Sequence, residues 1–418
     1  MCALSIAVIG GGAAGMMAAA TISEERPAAA VTLYERNPRL GAKVTISGGG
    51  RCNVTTGIAD IPAVLERYPR GARWLRHAMF AFPPSAVMGW FEAHGVPLKT
   101  ELDGRVFPVS DRGGDVVAAF ERIFARRNVR VRTRSTVASV EWLPTGGFFV
   151  QSASGTATHD VVIITTGGAA FRHTGSQGDG YRFGAALGHT VTPLYPSLNA
   201  YVVREAWARG LSGLALPDAL LRIPKEAGRR LAVAARGAML FTHFGITGPA
   251  VFALCSRAAT ERYSDADPLP VAVRPLPDHS QAQIDALLQE RFRALGGRGV
   301  ANVLDTFLPR SLCTVLCELA GVDPATPAAR VSRDERRRLV SLIDALPLSA
   351  IGRKNGEEFV TAGGIALAEV DARTMASRLV PGLFFAGEVL DVDGFTGGFN
   401  LQAAWATGRA AGLAQPSA

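Results

Sequence analysis

The chain is short of cysteine, of lysine and of long apolar runs, and each shortage excludes something. Its five cysteines (Cys2, Cys52, Cys255, Cys313 and Cys317) are odd in number and scattered over 418 residues. That argues against a disulfide framework and for a reduced, cytoplasmic compartment. No uncharged apolar stretch reaches the roughly 18 residues that span a bilayer. No basic segment or small-residue cleavage site accompanies the apolar run that starts near Leu4, so neither export nor a membrane partner is expected. No Cys/His cluster stands at ligand spacing, and no metal is expected. Only four of the 44 basic residues are lysines. The net charge of +8 is therefore carried by arginine in a chain rich in Ala and Gly, a composition that needs no acidic partner to explain it. The densest basic run, Arg333 to Arg338, is interrupted by Asp334 and Glu335. It reads as the solvated face of a helix whose apolar side is Leu339, Leu342, Ile343 and Leu346.

What is present points to a globular α/β protein. Apolar residues make up 48% of the chain, enough for a large core, and the length suggests two or three domains. The 46 glycines fall in short groups, as tight turns and close backbone approach to a ligand require. Residues 4–9 read as a buried parallel strand, Gly10 to Gly15 as a glycine loop, Ala13 to Ser23 as a helix of small residues, and Val31 to Glu35 as the next strand. Together they make a βαβ unit. Val129 to Arg132, Val137 to Trp142 and Phe148 to Gln151 suggest a strand and a hairpin laid over the sheet, before a further apolar strand from Asp160 to Thr166. Past residue 191 short strand-like pieces dominate. Past 276 helical spacing takes over, with Ile284, Leu287, Leu288 and Phe292 on one face and Leu312, Val315, Leu316 and Leu319 on another. A glycine-rich, strand-like pattern resumes after about 350, and a helix runs to Ala418. The expected organisation is a discontinuous nucleotide-binding domain (1–190 and 350–418), a β-rich insert (191–275) and a helical subdomain (276–349).

Gly10, Gly12 and Gly15 satisfy G-x-G-x-x-G between a strand and a helix, the context that motif demands. The first glycine permits the turn, the second lets the backbone approach a pyrophosphate, and the third lets helix and strand pack. Glu35, 20 residues past Gly15 (35 − 15 = 20), ends the second strand where a carboxylate would accept from adenosine ribose hydroxyls. It argues against a 2′-phosphate there, but these residues alone do not separate FAD from NAD. The segment Gly41 to Asn53 carries three consecutive glycines flanked by Lys43, Ser47 and Arg51, a loop able to wrap an anionic or planar ligand with its main chain. Near the C-terminus, Leu383 to Glu388 read as a short strand ending in Gly-Glu. Gly397 to Gln402 then lead into a helix whose N-terminus would favour negative charge.

The blocks VIGGGAAGMMAA, GAKVTISGGGRCNVT, TGGAAFRHTGSQGDGY, FTHFGITGPA, TAGGIALAEVDARTM and GLFFAGEVLDVDGFTGGFNLQAA resemble a bacterial flavoprotein family described as BaiN-like or aminoacetone oxidase family FAD-binding enzymes. The resemblance runs from about residue 5 to 412. It implies non-covalent FAD in an extended pose, held by a Rossmann-like FAD-binding domain with an inserted β-barrel-like domain and a small helical domain. It places Gly10, Gly12, Ala14 and Gly15 at the pyrophosphate, Glu35 at the ribose with Arg36 among the cofactor contacts, and Val137 at the adenine. Lys43, Ser47, Gly49, Gly50, Thr166, Gly167 and Asp391 fall among the cofactor contacts. Gly387 and Glu388 fall at the ribityl chain, and Gly398, Phe399, Asn400 and Leu401 at the pyrimidine edge. Phe399 stands where Tyr is common, so no hydroxyl role is expected there.

Four side chains are candidates for the chemistry beside a flavin. Cys52 reads either as a general acid, with Arg51 beside it lowering the thiol pKa, or as a small packed thiol. His243 reads as a satisfied core histidine or a catalyst. Arg105 reads as a clamp for a carboxylate or phosphate, or as a surface partner of Asp103 or Glu101. Cys313 and Cys317 are four apart on one helical face and read as core, not as a redox pair. Three functions stay open: an NAD(P)H-dependent reductase of an activated C=C or similar small-molecule acceptor, an amine-type oxidase passing electrons to O₂, and an RNA-acting flavoprotein that reduces a pyrimidine base. There is no second dinucleotide fingerprint, so NAD(P)H, where it is the reductant, docks transiently at the flavin face.

Overall fold

The computed structural model describes residues 3–225, 232–356 and 358–415. Cys2 and the expected end of the last helix at Ala418 lie outside the described residues. Two units divide the chain. The first comprises residues 1–197 and 359–418, and the second 198–358.

The first unit is built on a parallel sheet of five strands. Their order is Leu383–Phe385, Val161–Ile164, β1 (Ser5–Ile9), β2 (Ala30–Tyr34) and Arg130–Arg132, and every neighbouring pair runs parallel. Val161–Ile164 is buried at each position, because a parallel strand covered on both faces tolerates no polar alternation. The stretch from Val129 to Arg132 pairs with β2 as a parallel edge strand instead of joining the hairpin. Its exposed Arg130 and Arg132 place charge on an edge that would otherwise be free to pair with another chain. Val137–Trp142, Phe148–Ser152 and Gly155–His159 form a separate antiparallel meander. Helix α1 (Ala13–Glu25) follows β1 and packs on the closing helix, Phe399–Leu413.

The second unit is a closed antiparallel barrel. In order, its strands are Tyr201–Val203, Gly245–Thr247, Val233–Thr242, Ala215–Ile223, Leu269–Arg274 and Leu346–Arg353. The last of these crosses the boundary expected at 350, so residues 350–353 are barrel. The helices Gln281–Ala294, Arg310–Ala320 and Arg333–Asp344 do not stand apart as a helical subdomain. Ile284, Leu288, Leu316 and Ile343 share one buried cluster with barrel residues such as Leu221, Phe241 and Val271. One core leaves no seam at 275. On Arg310–Ala320 the buried face is Leu312, Cys313, Leu316, Cys317 and Ala320, while Leu319 is exposed.

Candidate functional site

The glycine loop after β1 divides its labour by position. Gly10 has φ +108, and a Cβ there would stand 2.6 Å from the Thr165 carbonyl oxygen. At Gly15 a Cβ would lie 1.9 Å from the Gly10 carbonyl oxygen, so this glycine is what allows α1 to cross β1. Gly12 differs, since a Cβ there would meet nothing within 4 Å. It is also the N-cap of α1 and supplies no side-chain cap. The first amides of α1 therefore face open ground with the positive end of the helix dipole behind them, which suits a phosphate. The methyl of Ala14, in the same first turn, would be 2.8 Å from any Cβ at Gly387.

Glu35 is buried just past β2. Its Oε2 accepts from the Gly11 N–H at 2.8 Å and its Oε1 from the Asn37 N–H at 2.8 Å. Burial raises its pKa while those two amides pull it back. Each oxygen keeps a lone pair for a hydroxyl donor. Beside it, Arg36 pairs with Asp179 at 2.8 Å. The Ser135 N–H donates to the Glu35 carbonyl, which brings Val137, buried at the start of the meander, close to the ribose end of the site.

The loop after Val161–Ile164 closes over the same edge. Thr165 donates to the Ile9 and Gly10 carbonyls, whereas the buried Thr166 hydroxyl has no partner. An orphaned buried hydroxyl is expensive unless a ligand satisfies it. Gly167 turns the chain at φ +73.

Lys43, on the short helix Ala42–Ile46, reaches Glu388 at 2.7 Å. Ser47 donates to the Val44 carbonyl. Gly49 and Gly50 are exposed with φ of +72 and +90 and open space where a Cβ would be. The C-terminal segment meets this loop. Gly387 donates to Thr407 at 3.0 Å, and Asp391 accepts from Thr192 at 3.1 Å while its Oδ1 is buried without a partner. Burial raises the Asp391 pKa. Gly398, at φ +89, is the uncapped N-cap of the closing helix, and a Cβ there would be 2.3 Å from the Thr55 carbonyl oxygen. The Asn400 amide holds both backbone groups of Gly394, at 2.7 and 2.8 Å. Phe399 is turned inward, edge-on to Tyr68 at 6.2 Å, and Leu401 is half-buried. A small cleft in the C-terminal segment is lined by Gly387, Glu388, Leu390 and Asn400, with Leu75 against it. Two uncapped helix N-termini, open glycines at 12, 49 and 50 and two orphaned oxygens fit an extended dinucleotide.

The structure separates the readings left open for the four chemical candidates. Cys52 is fully buried on a left-handed backbone (φ +63), and burial pushes its thiol up to about 12. Arg51 does not lower it, because the guanidinium lies over the Phe107 ring at 3.8 Å and pairs with Glu101 at 2.6 Å. Arg105 is not an open clamp, since it pairs with Asp103 at 2.7 Å and Glu101 at 3.2 Å. His243 is not a core histidine. It is exposed where Val233–Thr242 turns into Gly245–Thr247 in the second unit, edge-on to Phe244 at 5.1 Å.

Several residues that hold the site went unread in the sequence. Tyr68 donates to the Phe399 carbonyl at 2.6 Å. Arg70 makes a two-pronged pair with the fully buried Asp393 at 2.5 Å. Gln402 accepts from Thr55 at 2.6 Å and donates to the Phe82 carbonyl at 2.8 Å. Thr361 donates through its N–H to Glu388 at 3.0 Å. Polar residues inside apolar helical or strand patterns were the one available signal.

Comparison with known proteins places this geometry. The profile described as "HI0933-like protein Rossmann domain" matches residues 4–414. A 3-dehydro-bile acid delta(4,6)-reductase of Clostridium scindens is 30% identical over 414 residues, covering 98% of each chain. A ribosomal RNA dihydrouridine synthase of Escherichia coli is 29% identical over 405 residues, covering 96% of this chain and 95% of that one. Among solved structures, 3-ketosteroid-Δ4-(5α)-dehydrogenase of Rhodococcus jostii aligns with a TM-score of 0.51 at 14% identity, over 98% of this chain and 96% of that one.

Proposed function

The chain belongs to the HI0933-like Rossmann family and is an FAD-dependent oxidoreductase, and on that premise we propose that it reduces a carbon–carbon double bond conjugated to a carbonyl group, with NAD(P)H as the source of hydride. FAD, when bound, supplies a hydride at flavin N5. The observation that carries the reading is the pair of uncapped helix N-termini in the first unit. The one at Gly12 suits a pyrophosphate, and the one at Gly398 suits the negative charge of a reduced flavin.

In this reading the Gly10–Gly15 loop holds the pyrophosphate through the amides of α1. Glu35 accepts from the ribose, with Arg36 held beside it by Asp179, and Val137 meets the adenine through its main chain. Thr166 and Gly167 line the middle of the cofactor, Glu388 and Gly387 the ribityl chain, and Ser47, Gly49 and Gly50 the ring edge opposite residues 398–401. Of the four side chains weighed for acid–base work, Cys52 is sealed and both arginines are engaged. His243 is exposed on the second unit, and we assign proton donation to none of the four.

The substrate class draws on the relatives. One is named as a reductase of delta(4,6) 3-dehydro bile acids, which are conjugated ketones. The other is named as making dihydrouridine in ribosomal RNA, that is, as saturating a pyrimidine C=C next to a carbonyl. The same flavin chemistry serves both, so a pyrimidine base in RNA is the second reading. The test is anaerobic titration of the yellow protein with NADH, then NADPH, followed by a conjugated ketone or a uridine-containing RNA. Bleaching by a nicotinamide and recovery of colour on adding one acceptor supports the reading. Recovery only with O₂ sinks it and leaves an oxidase, and a protein that takes up no FAD removes the cofactor assignment itself.

A further inference from the structure

The block TAGGI, at residues 361–365, is part of the family pattern but has no assigned task. It lies just after the chain re-enters the first unit at Phe359. Val360–Ala362 pairs antiparallel with Tyr195–Ser197, the last strand before the chain leaves. Further along, Ile365 bridges Val191 on one side and Leu390 on the other. Gly363 and Gly364 are where they are because a Cβ would lie 2.2 Å from the Pro193 carbonyl oxygen or 2.6 Å from the Leu390 carbonyl carbon. The block is thus a wedge between residues 190–197 and residues 388–391.

Thr361 uses its N–H and its hydroxyl oxygen within this wedge. Its N–H donates to Glu388 Oε1 at 3.0 Å, and its Oγ1 accepts from the Ala169 N–H at 2.8 Å. The same two oxygens meet at Gly168, where a Cβ would stand 2.7 Å from Glu388 Oε1 and 2.7 Å from Thr361 Oγ1. The other oxygen of Glu388 accepts from Lys43. One residue therefore joins two cofactor-facing segments, the Thr166–Ala169 turn and the Gly387–Glu388 corner, that are more than 200 residues apart in sequence.

We propose that Thr361 is a positioning residue for FAD. It sets the Glu388 carboxylate and the Thr166–Ala169 turn at the spacing the ribityl chain and pyrophosphate require. The proposal rests on the FAD site described above. Thr361 acts through Glu388 and Ala169 and does not itself touch the reacting atoms.

The test compares the full-length protein with Thr361→Val and Thr361→Ser. Valine keeps the shape and the backbone N–H but leaves the Ala169 amide without its acceptor, whereas serine keeps the hydroxyl. FAD affinity is read by quenching of flavin fluorescence on reconstitution of the apoprotein. Thermal unfolding of the apoprotein is read in parallel. Thr361→Val is expected to raise the FAD Kd roughly tenfold and Thr361→Ser to stay within about threefold of wild type. The flavin midpoint potential should move in the valine variant only. An unchanged Kd and potential in Thr361→Val overturns the proposal. So does a weakened Kd that serine fails to restore, or a fall in apoprotein melting temperature with normal affinity, which would make Thr361 a fold residue only. If the wild-type protein binds no FAD, it is the cofactor reading that fails, and the two failures are told apart in the first titration.

Discussion

Gly408 of the closing helix lies directly against the main chain of Ala14 on α1: a Cβ at 408 would stand 2.4 Å from the Ala14 carbonyl oxygen. One turn on, a Cβ at Gly412 would stand 2.7 Å from Thr21 Cβ and 2.9 Å from the Ala18 carbonyl oxygen. Two glycines four apart on one helix and small residues on the other let the first and last helices of the chain touch backbone to backbone. Gly387 stands beside Ala14 in the first turn of α1, and the helix that Gly398 caps is the one held there, so the two halves of the candidate cofactor site depend on this contact.

Gly408→Ala should therefore be costly where an ordinary helix Gly→Ala substitution is helpful. The new methyl meets backbone, which cannot rotate away, and overpacking of this kind costs about 1–3 kcal/mol. Gly114, in the helix Gly113–Arg126, has nothing within 4 Å of its Cβ position. Gly114→Ala should stabilise by about 0.4–1 kcal/mol through loss of unfolded-chain entropy. Urea unfolding of both variants reads the two signs, and two shifts of the same sign would contradict the packing argument.

Lys43 and Glu388 form a partly buried pair at 2.7 Å in the middle of that site. Lys43→Met removes a pair worth about 1 kcal/mol and is expected to weaken FAD binding roughly fivefold, with the loss shrinking at high salt. Lys43→Arg should keep most of the affinity. Reconstitution of apoprotein with FAD at two ionic strengths checks both points, and a salt-independent loss would point to packing of Lys43 over Phe171 rather than to charge.

Much of the first unit is legible in the sequence because its signals are local. β1, the glycine loop, α1 and Glu35 fall within one span of about 30 residues, where continuous strand burial, helix start and acidic terminus follow from neighbouring residue types. The corrections come from contacts made at long range. Arg51 looks like a partner for Cys52 because it is adjacent, but its carboxylate partner, Glu101, is 50 residues away. His243 looks like core because Phe241 and Phe244 flank it, yet a hairpin turn leaves the imidazole outside. The barrel closes only because Tyr201–Val203 pairs with both Gly245–Thr247 and Leu346–Arg353, a register that no window of residues contains. Thr361 hides for the same reason, since its two partners are Ala169 and Glu388.

Arg70 and Asp393 should show the largest single-site effect on stability. Asp393 is fully buried and accepts from both Arg70 and Ser197, on the loop that leads into the closing helix. Arg70→Ala leaves that carboxylate buried without its cation and is expected to cost about 3–5 kcal/mol. The double substitution Arg70→Met with Asp393→Asn should recover much of the loss, because no buried charge is then left uncompensated. Chemical denaturation of the single and double variants measures the coupling. A double variant no better than Arg70→Ala would mean that packing around Arg70, not its charge, holds the loop.

The pH dependence of stability should pass through His189. This buried imidazole sits edge-on to Phe385 at 4.7 Å, with Ser377 at 2.8 Å from Nε2 and Glu369 at 3.2 Å from Nδ1. Ser377 already accepts from the Leu379 and Val380 amides, so its hydroxyl hydrogen is best given to an unprotonated Nε2. Burial lowers the His189 pKa, and Glu369 offsets only part of that. The native state thus resists a proton that the unfolded chain accepts below about 6.5. Stability contributed here is constant above that pH and falls as pH drops from about 6.5 toward the lower native value. Glu369, whose own pKa is lowered mainly by its hydrogen bond from Thr190, loses its contribution at more acid pH, below the usual carboxylate range. In His189→Gln the slope of unfolding free energy against pH between about 5 and 6.5 should become shallower. The buried His159, with its pKa also lowered by burial, contributes slope of the same sign, and Glu35 and Asp391, raised by burial, contribute slope of the opposite sign. Urea titrations at half-unit pH steps decide the matter: an unchanged slope in the variant would show that His189 takes up its proton as readily in the folded protein as in the unfolded chain.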